Sequence, residues 1–192
     1  MSLLDDKRWQ RFMSRDYRCG CCGESVGGLL DIGYDHPDPW PHGHRQQAGV
    51  ITLEVGQDRL NSDLCALGDD RFIRCVLPIP IIDTGETFRF GPWASLKLEN
   101  FDLYVQAWEK DDYSGIDGFF GWLCNCLPGV GMSDAPLPCD IVDLDGVSRP
   151  VLWVHEGSHQ LATMQREGIT FDQLLDIFEA AGMDIRPHLG DA

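Results

Sequence analysis

Two runs of period-two alternation between Arg71 and Leu98 dominate the hydrophobic pattern of the chain. In the first, Ile73, Cys75, Leu77, Ile79 and Ile81 share one parity, and Phe72, Arg74, Val76, Pro78 and Pro80 share the other. In the second, Phe88, Phe90, Ala94, Leu96 and Leu98 keep one parity across Gly91-Pro92, with Arg89, Trp93, Ser95 and Lys97 opposite. Side chains alternate across a strand, so each run predicts a strand with one apolar face. Asp83-Thr84-Gly85-Glu86 predicts a tight turn between them, which makes the pair one long hairpin. Pro78 and Pro80 lack an N–H on the same side, marking that side as a sheet edge.

The remaining elements follow from the same periodicities. Residues 3–16 predict a short helix with Leu4, Trp9, Phe12 and Met13 inward, and Val50–Val55 and Asp63–Leu67 predict strands. Glu99–Lys110 predicts a helix with Phe101, Tyr104, Val105 and Trp108 on its buried face. Gly118–Gly129 predicts a buried strand, and Cys139–Leu144 and Val147–Val154 predict a hairpin about Asp145-Gly146. Gln160–Glu167 predicts a helix stopped by Gly168. Thr170 opens the next with a Gln173 capping box, burying Phe171, Leu174, Leu175 and Phe178 and leaving Asp172, Asp176 and Glu179 in water. Cys19 to His44 is rich in Gly, Pro and Asp and carries no period, and an irregular stretch of that length is normally pinned or functional. The pattern as a whole predicts a single α+β domain over residues 1–192, mainly antiparallel sheet with C-terminal helices. Within it, 17–45 is an irregular, zinc-knuckle-like loop region containing a CxxC, and 46–192 holds the sheet and helices.

Composition narrows the partners. A chain of 192 residues supports one hydrophobic core. Its 31 acidic and 15 basic residues give a net charge of -16, which repels phosphate backbones and anionic bilayers and so excludes nucleic acid and membrane as partners. Two accounts of the acidity remain, solubility or steering of a basic protein. The charged N-terminal run MSLLDDKRWQRFMSRDYR has no apolar leader region and no long apolar segment follows, so a cytoplasmic location is expected. There the eight cysteines are expected to be thiols, metal ligands or core filler, and not a disulfide frame.

Three clusters carry candidate chemistry. Cys19 and Cys22 in CGCCG have the spacing of a zinc knuckle, in which a tight turn lets two thiolates converge; free thiols are the other reading. A structural zinc needs two further ligands, and Cys65, Cys124, Cys126, Cys139, His42, His44 and His159 supply no second well-spaced pair. HEGSH at His155–His159 matches the HExxH pattern of a helical zinc protease, with Glu179 downstream as a third ligand. Its context opposes it: VLWV before it is strand-like, and Gly157 inside a helix costs about 1 kcal/mol. His42-Gly43-His44, with His36 near, reads as a surface loop with incidental metal affinity.

The segments YRCGCCGE, SDLCALGDDRFIRCVLPIPIIDTGETFRFGPWASL, FFGWLCNCLPG, RPVLWV and SHQLATMQREGIT, in this order over Tyr17 to Phe178, together resemble the bacterial domain of unknown function 2199 family. That family has no established activity. The resemblance implies a small cytoplasmic bacterial protein with a CxxC-Gly near its start and a histidine shortly after. Val26 stands where the histidine is expected, so Cys21 or Cys65 is implied as a substitute ligand. The match carries His159, Leu161, Ala162, Gln165, Gly168 and Ile169, and leaves His155 and Glu156 on positions the family fills differently. Arg74, Trp93, His159 and Gln165 are the polar candidates in the matched segments, with capping or local pairing as their structural alternative. The function expected is that of a non-catalytic acidic cytoplasmic protein that binds a basic protein, such as a toxin it neutralises, with zinc held through Cys19 and Cys22 and Cys65 behind them. The alternative is a zinc-dependent hydrolase using the Cys19/Cys22 region or His155 and His159.

Overall fold

The computed structural model describes residues 2–28, 31–45, 49–131, 133, 135–144, 148–157 and 159–190. In chain order the elements are α1 (Lys7–Met13), β1 (Ile32–Gly33), β2 (Leu53–Val55), β3 (Asp58–Leu60), β4 (Leu64–Leu67), β5 (Asp70–Arg74), β6 (Leu77–Pro80), β7 (Thr87–Gly91) and β8 (Trp93–Leu96). They continue with α2 (Leu98–Lys110), β9 (Phe119–Leu123), β10 (Leu137–Val142), β11 (Val151–Val154), α3 (Gln160–Glu167), α4 (Phe171–Ala180) and α5 (Arg186–Leu189). An antiparallel eight-stranded sheet has the order β11-β10-β9-β8-β5-β4-β3-β2, and a three-stranded sheet the order β1-β7-β6. β1 joins β7 in parallel.

The long hairpin is present, and it is shared between the two sheets. β5 pairs with β8 and β6 with β7 in one continuous register, Ile73 opposite Ala94, Arg74 opposite Trp93, Leu77 opposite Phe90 and Ile79 opposite Phe88. The change of sheet falls at Pro92, which has no N–H for the ladder; Cys75 N–H donates to Pro92 O at 2.8 Å as the last link. β6 is an edge strand, as its prolines require. Its outer side is engaged at the two ends, where Val76 N–H donates to Pro150 O at 2.9 Å and Pro80, which needs no N–H to accept, takes Ile169 N–H on its O at 2.9 Å.

One face of the hairpin and large sheet carries the main core. Ile73, Leu77, Ile79, Phe88, Phe90, Ala94, Cys139 and Leu152 pack there against Phe12, Leu161, Leu174 and Phe178. A second cluster, Trp40, Leu60, Cys65, Phe72 and Trp93, lies apart from it. Its strand residues Leu60, Cys65, Phe72 and Trp93 face the other way, and the 34–45 segment covers them through Trp40. Asn125 latches that segment: its Oδ1 accepts from Trp93 N–H at 2.8 Å, while its amide donates to Asp38 Oδ1 at 2.8 Å and His36 O at 3.1 Å.

Several expectations are corrected. α2 buries Tyr104 and Ala107, while Trp108 is 44% exposed, because Ala107 takes the inward position one turn on and the neighbouring residue lies about 100° round the axis. Leu98 opens α2 instead of ending the strand. β9 is half-buried: Phe120 and Trp122 face out while Phe119, Gly121 and Leu123 face in. Val50 and Ile51 are exposed and precede β2. The turn expected at Asp145-Gly146 lies outside the described residues; β10 and β11 pair up to Val142 opposite Val151. α3 has the expected ends and α4 the expected Thr170–Gln173 capping box, while α5 is not among the predicted elements. Among the described residues no helix is long and apolar enough to cross a membrane.

Candidate metal centre

Local chain geometry gathers the first three donors. In Cys19-Gly20-Cys21-Cys22-Gly23 the Gly23 N–H donates to Cys19 O at 2.8 Å, and Cys19 N–H donates to Glu24 O at 2.9 Å, which closes a tight turn. Gly23 adopts φ +75°, a left-handed conformation that a Cβ would oppose by about 1–2 kcal/mol. Cys21 N–H points back to Cys19 Sγ at 3.4 Å. Cys19 is buried, whereas Cys21 and Cys22 are exposed.

The fourth donor arrives from the far end of the chain. His188 sits in α5, whose first turn contains Pro187, a residue already shaped for a helix start. Leu189 is buried in the main core. Arg11 donates to Leu189 O at 2.7 Å, and Tyr17 OH donates to His188 O at 2.8 Å. Arg186 adds ion pairs with Asp176 and, at 2.7 Å, with Glu179. These contacts hold His188 Nδ1 at 3.4 Å from Cys19 Sγ, 3.5 Å from Cys22 Sγ and 3.9 Å from Cys21 Sγ. The four donor atoms all lie within 4.8 Å of one another, and among the described residues this is the group of His, Cys, Asp or Glu side chains that could hold a metal ion.

The donor set fits a tetrahedral ion. With bonds of about 2.3 Å to sulfur and about 2.0–2.1 Å to nitrogen, a zinc tetrahedron has sulfur–nitrogen edges of about 3.5 Å and sulfur–sulfur edges of about 3.8 Å. The three sulfur–nitrogen separations already bracket that edge. Cys19 and Cys21 stand closer, 2.8 Å apart, sharing a hydrogen bond. That bond sets the electrostatics: the hydrogen bond from the Cys21 thiol, then the Cys21 N–H, then His188 draw the Cys19 thiol down to about 6. The Cys21 thiol, holding the proton against the Cys19 thiolate, is pushed up to about 11. One sulfur is thus prepared as an anion, the form that binds metal.

The other candidates lie elsewhere. Cys65 is buried in the second core cluster, where burial pushes its thiol up to about 12, and it takes no part in the group. Trp93 is fully buried, its indole N–H donating to Tyr34 O at 3.0 Å. Arg74 is half-buried; its Nε donates to Gly91 O at 3.4 Å, and burial lowers its pKa. Gln165 is buried and bonds the backbone of β11, accepting from Val154 N–H at 2.9 Å and donating to Leu152 O at 2.8 Å. His159 is the N-cap of α3, its Nδ1 accepting from Leu161 N–H at 3.2 Å.

His155 and His159 do not stand one helical turn apart on a shared face. His155 follows the end of β11 and lies 3.1 Å from Asp140, Gly157 turns the chain at φ +74°, and Glu179 pairs with Arg186. His42 pairs with Asp58 at 2.7 Å, and the His36 and His44 rings lie 4.9 Å apart. Of the two substitute ligands that the resemblance implied, Cys21 lies in the group and Cys65 does not. His188 escaped notice because a donor closing a site across 166 residues leaves no spacing pattern to read.

A family model described as an uncharacterized protein conserved in bacteria (DUF2199) matches residues 18–169. The match spans most of the chain, which therefore belongs to that family. It includes Cys19, Cys21 and Cys22 and stops short of His188. No curated protein and no solved structure matches the chain.

Proposed function

We propose that Cys19, Cys21, Cys22 and His188 hold one zinc ion in a closed structural site, and that the protein is a non-catalytic acidic module that works by binding a basic protein. The convergence of four donors within 4.8 Å, three of them thiols, carries the zinc reading. Three cysteines and a histidine are a common structural zinc set, and four protein donors leave no vacant position for the water a hydrolase needs. The ion ties the knuckle to α5 and so joins segments far apart in sequence. The net charge of -16 supports the choice of partner, since a single-sign field speeds encounter with opposite charge; a cationic toxin or nuclease that is neutralised on binding fits that field.

Metal analysis of the purified protein tests the site. One zinc per chain is expected, with Cys22→Ala and His188→Ala each losing most of it and His159→Ala retaining it. Full zinc content in Cys22→Ala and His188→Ala removes the site. Zinc lost only in His159→Ala restores the hydrolase alternative. Mixing with basic proteins at low and high salt tests the partner, whose binding must weaken as salt rises.

A further inference from the structure

The outer face of β9–β11 carries exposed aromatic side chains. Cross-strand register sets Trp153 of β11, Asp140 of β10 and Phe120 of β9 in one row. Trp122 stands next on β9, its ring edge-on to Phe120 with centroids 5.3 Å apart. Trp153 is 40% exposed and Phe120 and Trp122 are each 43% exposed. Trp122 also lines a shallow cavity of about 440 Å³ with Phe72, Ser95, Pro39 and Pro136, and Asp70 at its rim. Three large aromatic side chains clustered in water are the usual mark of an interaction surface.

Charge selects the occupant. The outward positions of these strands are Phe120, Trp122, Pro138, Asp140, Val142, Val151 and Trp153, so Asp140 is the one acidic residue among them. His155, just past β11, reaches Asp140 at 3.1 Å and sets its ring 5.6 Å from Phe120, so it borders the row. Strands lie about 4.8 Å apart, which places Trp153 and Phe120 about 10 Å from each other on either side of that carboxylate. A guanidinium or ammonium approaching beside His155 meets the exposed side of the Asp140 carboxylate and the faces of Trp153 and Phe120, the arrangement that rewards arginine and lysine by both charge and stacking. We propose that the Trp153–Asp140–Phe120 row, with Trp122 beside it, is the docking surface for an arginine- or lysine-rich segment of a partner polypeptide. The proposal rests on the basic-partner reading and gives it a place on the molecule; it is independent of the metal centre.

Titration of the full-length protein with an octa-arginine peptide, followed through the indole N–H resonances, tests it. Trp122 and Trp153 shift saturably, while Trp108 on α2 and the buried Trp9, Trp40 and Trp93 stay in place. Asp140→Asn weakens binding about five- to twentyfold, whereas Glu109→Gln on α2 changes it less than about twofold. Trp153→Leu weakens it similarly, and Phe120→Leu replaces that variant if it does not fold. Saturable binding untouched by Asp140→Asn and Trp153→Leu overturns this surface and leaves the basic-partner reading standing. No binding even at low salt overturns both. Equal affinity and equal shifts with a neutral oligosaccharide overturn the proposal in favour of a sugar platform.

Discussion

Single residues at the candidate metal centre carry a pH signature that the metal-free protein should display. The Cys19 thiol falls from 9.0 to about 6 on folding. Between those values the unfolded chain retains a proton that the folded chain has released, so stability rises with pH across the window. The contribution is complete above pH 9 and fades as pH drops through about 6. The Cys21 thiol, raised to about 11, contributes in the opposite sense: its share is present below pH 9 and is lost towards 11. The denaturation midpoint of metal-free protein is therefore expected to climb from pH 6 to pH 8, and to climb less in Cys19→Ser; equal slopes would deny that Cys19 is a thiolate. His159 makes a simpler forecast. As the α3 cap it is worth about 1 kcal/mol, so His159→Ala lowers stability by that amount and His159→Asn restores it. Cys19 and Cys22 were readable from the chain because their chemistry is local. His159 was readable both as a site residue and as a cap, since the same histidine before a helix suits either role, and the structure places it as the cap.

Among the elements, β11 shows how a side chain substitutes for a strand. Beyond β11 the large sheet meets Val76 through a single parallel bridge at Val151, and past that bridge Val154 N–H and Leu152 O are both satisfied by the amide of Gln165 from α3. Gln165→Leu strands two buried backbone groups at about 1–3 kcal/mol each, and a loss of about 2–4 kcal/mol in chemical denaturation is expected. α3 is fixed at its other end by Gly168, whose φ of +83° suits no side chain and whose added Cβ would lie 2.8 Å from Pro80 O. The hairpin's parity was plain in the sequence because period-two alternation survives the change of sheet. The burial of Trp93 was not, because its cover comes from a segment without periodicity, held by Asn125 and Asp38. The same holds for β9, where an unbroken apolar run reads alike whether one face or both are covered.

For the molecule as a whole, the proposed ion acts as a cross-link between residues 22 and 188. Restraining an unfolded loop of that length is worth about 5 kcal/mol at most in the chain-entropy account. Chelation is expected to lower the thermal midpoint by about 10 °C, and His188→Ala to abolish the chelator's effect; a midpoint indifferent to chelator in the wild type would contradict the clamp. The order of the donors along the chain has a temporal consequence. During synthesis the three sulfurs leave the ribosome early and the imidazole last, after every strand of both sheets. Until then the thiols have an incomplete ligand set, and loading waits for α5 to dock beside α1. A filled site would therefore certify that a newly made copy has closed from the knuckle to α5, and cells short of zinc would accumulate copies in which that closure is reversible.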